Sequence, residues 1–181
     1  PGRVKIFDYN AYGELIREAT LLDPIYYGDD YQTSLGYGRW AASLYCYDDL
    51  GRRTFMAAPE GYVTTWSYTA QGEVSEQVEY ARALEYDRHT LFEAPPALPA
   101  PGDASIGYDR VIRWQYDALG RKSSETAVRH YQDMDGNGAV RDVVTAIGYD
   151  NEGHALTVTE DGQTTTTAYD ALGRAISVEE S

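Results

Sequence analysis

Tyr116-Asp117-Ala118-Leu119-Gly120-Arg121 recurs letter for letter as Tyr169-Asp170-Ala171-Leu172-Gly173-Arg174. Tyr47-Asp48-Asp49-Leu50-Gly51-Arg52 differs from both at a single place. Looser copies keep the frame: Tyr9-Asn10-Ala11-Tyr12-Gly13-Glu14, Tyr68-Thr69-Ala70-Gln71-Gly72-Glu73 and Tyr149-Asp150-Asn151-Glu152-Gly153-His154. In every copy an aromatic residue is followed, four places on, by glycine. Such repetition sets the architecture before any single residue does, and it directs attention away from an enzyme pocket.

The final copy shows how the unit works. Leu156-Thr157-Val158-Thr159-Glu160 alternates apolar and polar residues and is followed by Asp161-Gly162, the signature of a two-residue type I′ hairpin. A return strand rich in β-branched threonine runs to Tyr169. Asp170 to Gly173 then forms a second turn. There the carboxylate can accept a backbone N–H two residues on, and glycine can take a positive φ. One unit is therefore strand, Asp-Gly turn, strand, Tyr-Asp-x-x-Gly turn. Tyrosines 20 residues apart (Tyr149, Tyr169) and 21 apart (Tyr47, Tyr68) match two short strands with two tight turns. Glu60-Gly61 is expected to take the Asp-Gly role in an earlier unit. The pattern predicts an all-β chain, 1–181, folded as one curved antiparallel meander of hairpins. The motif tyrosines would form a ladder along the sheet.

Two longer intervals predict insertions at about 22–46 and 88–110. The second holds Pro95, Pro96, Pro99 and Pro101, which lack a backbone donor and exclude a central strand. It reads as a surface loop, with a polyproline ligand as the alternative. Residues 14–22 and 74–84 have some helical composition; the second could be a helix or a strand pair, and the repeat frame that continues through it favours strands.

Composition narrows the function. A net charge of −14 opposes binding to nucleic acid and to anionic membranes. No apolar run approaches a membrane span, and no signal peptide is visible. The opening at Pro1-Gly2, without methionine, is that expected of a processed or excised segment. The single cysteine, Cys46, excludes an intrachain disulfide and reads as a small buried side chain. Seventeen tyrosines against three phenylalanines and three tryptophans suit a half-wet sheet face.

Asp133, Asp135 and Asn137 place oxygen ligands at alternate positions, with Gly138 sixth, as in the first half of a Ca²⁺ loop. The Ala139 carbonyl and the Asp142 carboxylate would complete the set. Val144 at the twelfth place rules out an EF-hand. The alternative is a polar hairpin tip built of ordinary turn residues. Any such calcium would be structural, and no cofactor is required. Repeated carboxylates at turns (Asp48, Asp117, Asp150, Asp170) point to structure, since a catalytic pair would be unique. No P-loop, dinucleotide fingerprint, nucleophile elbow or zinc spacing occurs, so no enzyme activity is expected.

Tyr47, Asp48, Gly51, Arg52; Tyr116, Asp117, Gly120, Arg121; Tyr149, Asp150, Gly153; and Tyr169, Asp170, Gly173, Arg174 closely resemble the motif of the Rhs/YD-repeat family. That family includes Rhs polymorphic toxins, the C components of insecticidal toxin complexes and the teneurins. The resemblance covers most of the chain. It implies a segment of a hollow β-shell that encapsulates and delivers a C-terminal toxin. It also implies export from a bacterium by a type VI or toxin-complex route. The partners implied are the remaining repeats of a larger parent chain and the toxin cargo, with edge-strand self-association if the chain stands alone. Six repeats are too few to close a shell. The one Asp-Pro, Asp23-Pro24, lacks the setting of the family's self-cleavage site, so neither protease nor toxin activity carries over. An alternative is an extracellular module that binds glycan or protein through aromatics such as Tyr37 and Trp40.

Overall fold

A computed structural model describes residues 4–23, 39–83, 95–98, 109–132 and 138–181. The described residues are all-β. The strands are β1 (Lys5–Tyr9), β2 (Leu15–Asp23), β3 (Arg39–Tyr47), β4 (Arg53–Ala57), β5 (Val63–Tyr68), β6 (Val74–Glu79), β7 (Arg110–Tyr116), β8 (Lys122–Gln132), β9 (Gly138–Tyr149), β10 (Ala155–Glu160), β11 (Gln163–Tyr169) and β12 (Ala175–Glu180). Their order in the sheet is their order in the chain, the antiparallel meander that the repeat predicts. The segments with helical composition are strands, β2 and β6. Every odd-numbered strand ends on a motif tyrosine, so the repeat marks one hairpin per copy. The ladder resumes at Arg39 and at Arg110, within or at the limit of the ranges expected as insertions. Residues 95–98 of the proline-rich stretch adopt no regular structure.

The turn at 58–62 differs from expectation. The Ala58 N–H donates to the Tyr62 carbonyl, and the Gly61 N–H donates to the Ala58 carbonyl. Gly61 has φ +94°, while Glu60 is not among the positive-φ residues. This is the same five-residue turn as in the motif, with Ala58 in the aspartate's place, and not a two-residue Asp-Gly turn. Asp161-Gly162 is the two-residue case, with φ of +54° and +85°, as a type I′ turn requires.

The chain forms two compact units. The first comprises Pro1–Trp66 with Glu79–Gly107, and the second Ser67–Val78 with Tyr108–Ser181. In the first, Ala42, Leu44 and Cys46 alternate along β3 and are buried. Leu44 lies opposite Ala57, which lies opposite Val63; Cys46 lies opposite Phe55; Ala42 lies opposite Ala19. All are buried, so one face of β2–β5 is an apolar core. In the second unit Val78 and Val111 are buried. β10 and β11 have only half-buried and exposed residues, and every residue of β12 is exposed. Cross-strand pairs such as Thr159 with Thr164, whose hydroxyls lie 2.9 Å apart, hold this thin region.

Phe55 is the largest fully buried side chain. Phe55→Ala is expected to lower stability in urea unfolding by roughly 3–5 kcal/mol, from lost burial and the cavity left behind. A loss below about 1 kcal/mol would show that this face is not a packed core.

Candidate functional site

The candidate site is the repeated turn itself, since its geometry recurs and links neighbouring hairpins. The sequence closes each turn locally. The Gly51 N–H donates to the Asp48 carbonyl, and the Asp48 N–H donates to the Arg52 carbonyl, both at 2.9 Å. The same pair of bonds closes the turns starting at Asn10, Thr69, Asp117, Asp150 and Asp170. Each glycine has a positive φ, from +73° to +107°. The ladder shifts register at the tyrosine, as between Cys46 and Tyr47 and between Gln115 and Tyr116. These features define a type I turn followed by a glycine bulge.

The first and fifth residues of each turn are bonded through their side chains. Asp117 Oδ1 accepts the N–H groups of Leu119 and Arg121, and its Oδ2 accepts from Arg121 Nε at 2.7 Å. Asp48 with Arg52 and Asp170 with Arg174 repeat the pattern. His154 replaces arginine in the fifth turn, with Nδ1 2.9 Å from Asp150 Oδ2. In the first turn the polarity is reversed: Asn10 Oδ1 accepts the N–H groups of Tyr12 and Glu14, while Asn10 Nδ2 donates to Glu14. In the third, the Thr69 hydroxyl donates to Glu73.

These bonds favour the ionised carboxylates. For Asp48 the Arg52 side chain is the main cause of a pKa below the ordinary value. For Asp117 and Asp170 the backbone N–H of the fifth residue leads, followed by its guanidinium, against some desolvation. Around Asp150, burial opposes the shift, but the bonds from His154 outweigh it and the pKa is again lowered.

Four of the motifs also grip the hairpin before them. The hydroxyls of Tyr47, Tyr116, Tyr149 and Tyr169 donate to the carbonyls of Leu15, Val74, Lys122 and Ala155, at 2.7–3.0 Å. Every acceptor is the first strand residue after the preceding motif's turn. Arg121 Cζ lies 4.4 Å from the Tyr149 ring centroid, and its Nη1 donates to the Asp150 carbonyl. The His154 ring stacks on Tyr169 at 4.7 Å. At these junctions a motif tyrosine therefore meets the preceding motif's fifth residue, where a ladder of tyrosine rings was expected. Gly51 and Gly173 back onto that residue too: a Cβ there would lie 2.8 Å from Glu14 Oε1 and 2.6 Å from His154 Nε2.

Of the expected calcium ligands, Asp133, Asp135 and Asn137 lie outside the described residues. Ala139 and Asp142 lie in β9, paired with Tyr131 and Val128. Asp142 is four residues past Gly138, roughly 13 Å along the strand at about 3.3 Å per residue. Asp150, Glu152 and His154 bring three ligand atoms within 4.8 Å of one another, a set the sequence reading did not single out. Asp150 and His154 Nδ1 are committed to each other there. Cys46 is buried, which pushes its thiol up to about 11 and keeps it protonated at neutral pH. Trp40 lies in β3 opposite Leu21 and is half-buried; Tyr37 lies outside the described residues. No helix among the described residues is long and apolar enough to cross a membrane.

The fold and site together define an all-β hairpin-repeat protein. No protein-family model and no curated protein matches the chain. It is similar to a chain in the crystal structure of TcdB2-TccC3-Cdc42, with 14% identity over 94% of this chain and a TM-score of 0.40. The TcdB2-TccC3-TEV crystal structure gives 14%, 94% and 0.39, and the Photorhabdus luminescens Tc holotoxin pore with a mutated TccC3 gives 15%, 92% and 0.37. The chain spans 8–9% of the length of those chains.

Tyr149→Phe removes only the hydroxyl and leaves the Lys122 carbonyl without that donor. It should cost about 0.5–1.5 kcal/mol in chemical denaturation; an unchanged midpoint would mean the clasp contributes nothing. Asp117→Asn should lower the melting temperature at pH 7. The folded-state pKa of Asp117 lies below its unfolded value. Its contribution is therefore present above the ordinary value of about 3.9 and is lost as pH falls through the folded pKa. The gap between the parent and variant melting temperatures should close on acidification. A gap independent of pH would exclude the carboxylate charge as its cause.

Proposed function

We propose that this chain is a non-catalytic structural segment of an Rhs/YD-repeat protein. Its hairpins form part of a hollow β-shell that encloses and delivers a C-terminal toxin, exported from a bacterium. The observation that carries this reading is the grip of Tyr47, Tyr116, Tyr149 and Tyr169 on the hairpin before each of them, which makes the repeat a building tile. A tile of this kind extends a wall by repetition. The motif aspartates Asp48, Asp117, Asp150 and Asp170 are bonded within their own turns, and the Cys46 thiol is buried and protonated, which supports the structural reading.

The Arg174 side chain is 73% exposed, and β12 beside it is exposed throughout. A further hairpin beginning with the motif tyrosine would find there the carbonyl and the fifth residue that Tyr149 finds at Lys122 and Arg121. The acidic balance suits the outer surface of such a wall, keeping it soluble and away from anionic lipid.

The test is the intact mass of the native, untagged product and of whatever purifies with it. The expected result is a parent chain many times longer, with a C-terminal fragment that stays bound and resists protease. Disrupting the wall, for instance by Gly120→Val, should expose that fragment to cleavage. A free chain of this length with no bound fragment would remove the shell reading.

A further inference from the structure

The junction between the third and fourth motifs lacks a cation that its neighbour has. Where the fourth motif meets the fifth, the Arg121 guanidinium covers the Tyr149 ring and donates to the Asp150 carbonyl at 3.2 Å. That carbonyl also accepts the turn bond from the Gly153 N–H. The third motif has Glu73 where the fourth has Arg121. Among the described residues no cation lies over Tyr116, and the Asp117 carbonyl accepts only the turn bond from Gly120. Glu73 Oε2 accepts from the Thr69 hydroxyl, and Glu73 forms no ion pair with any described residue. Its Oε1 lies beside Gly120, 3.2 Å from where a Cβ would stand.

The space is open. A cavity of about 310 Å³ is lined by Thr69, Gln71, Glu73, Tyr116, Asp117 and Gly120, with Ala118 at its rim. One wall carries a carboxylate that the Thr69 hydroxyl holds in its ionised form. Tyr116 and Asp117 also line it, the counterparts of Tyr149 and Asp150, whose ring and carbonyl Arg121 meets at the next junction. A planar cation that stacks on a ring and presents forked N–H donors to oxygen fits this set. An ammonium ion is more strongly hydrated and has no plane to stack. A hard metal ion needs several oxygens and gains nothing from the ring.

We propose that this cavity binds the guanidinium of an arginine side chain presented by another protein segment. The bound group would lie in the cavity beside the Glu73 carboxylate and take up the contacts with ring and carbonyl that Arg121 makes at the next junction. The site is independent of whether the sheet forms a shell.

The test is an NMR titration of the intact protein with Nα-acetyl-arginine methylamide, following the Gly120 and Glu73 amides and the Tyr116 ring. Citrulline and lysine analogues serve as neutral and ammonium controls. Saturable shifts confined to these residues are expected with the arginine probe. Binding should weaken about tenfold or more in Glu73→Gln, equivalent to about 1.4 kcal/mol. It should be abolished in Thr69→Asp/Glu73→Arg, which supplies the guanidinium internally. That double variant should also melt higher than the parent, which separates a filled site from a misfolded one. The absence of saturable shifts, or unchanged affinity in Glu73→Gln, would overturn the proposal. So would equal binding of either control.

Discussion

A turn of five residues leaves two inward-facing N–H groups that no strand can reach, and a short side chain at the first position supplies the oxygen they need. In five of the six motifs that oxygen belongs to aspartate or asparagine, and in the third to the Thr69 hydroxyl, which accepts from Gly72 and Glu73. In the motifs these groups are thereby satisfied within the turn, while the turn at Ala58 closes through the same two backbone bonds with no oxygen on its first side chain. The reversal fixes where the next strand starts. The carbonyl of that first strand residue is what the following tyrosine grips. Local turn chemistry and the order of hairpins are thus coupled through a single backbone atom per repeat.

The two units rely on this coupling to different degrees. In the first, Leu44, Phe55 and Val63 are almost fully buried on one face, and apolar burial holds neighbouring strands together directly. In β10–β12 no residue is buried. There the ladder, the threonine pairs and the tyrosine clasps are the visible sources of cohesion. A region built this way gives up core packing and depends on its cross-strand pairs.

The hairpins were legible in the sequence because their determinants are local. Asp, Gly and an aromatic residue at fixed spacing state a turn and its flanks, and the alternation around Val158 states a strand. Glu60-Gly61 misled because a glycine after an acidic residue serves two turn types. What separates them is the backbone of Ala58 and Tyr62, which no residue type announces. The clasp was illegible for a related reason. A tyrosine signals that its hydroxyl needs a partner, but the partner is a main-chain carbonyl 14 to 42 residues away. The fifth position looked variable because it is read against two neighbours at once. Arg, His and Glu there seem unrelated until each is set beside its own first residue.

That double reading explains why glycine is required where it is. At Gly13 and Gly72 a Cβ would meet nothing within 4 Å, so only the positive φ calls for glycine. At Gly51 and Gly173 a Cβ would also collide with the preceding motif's fifth residue, so glycine is required twice. Gly153 is intermediate, with Arg121 at 3.7 Å. The steric demand on the glycine therefore varies with what precedes it, while the conformational demand stays constant. A long fifth residue lying close against the next turn, as His154 does, tolerates only a glycine that has no side chain to move. His154, bonded to Asp150 and stacked on Tyr169, has little room to give way, so at Gly173 the steric and the conformational demand add.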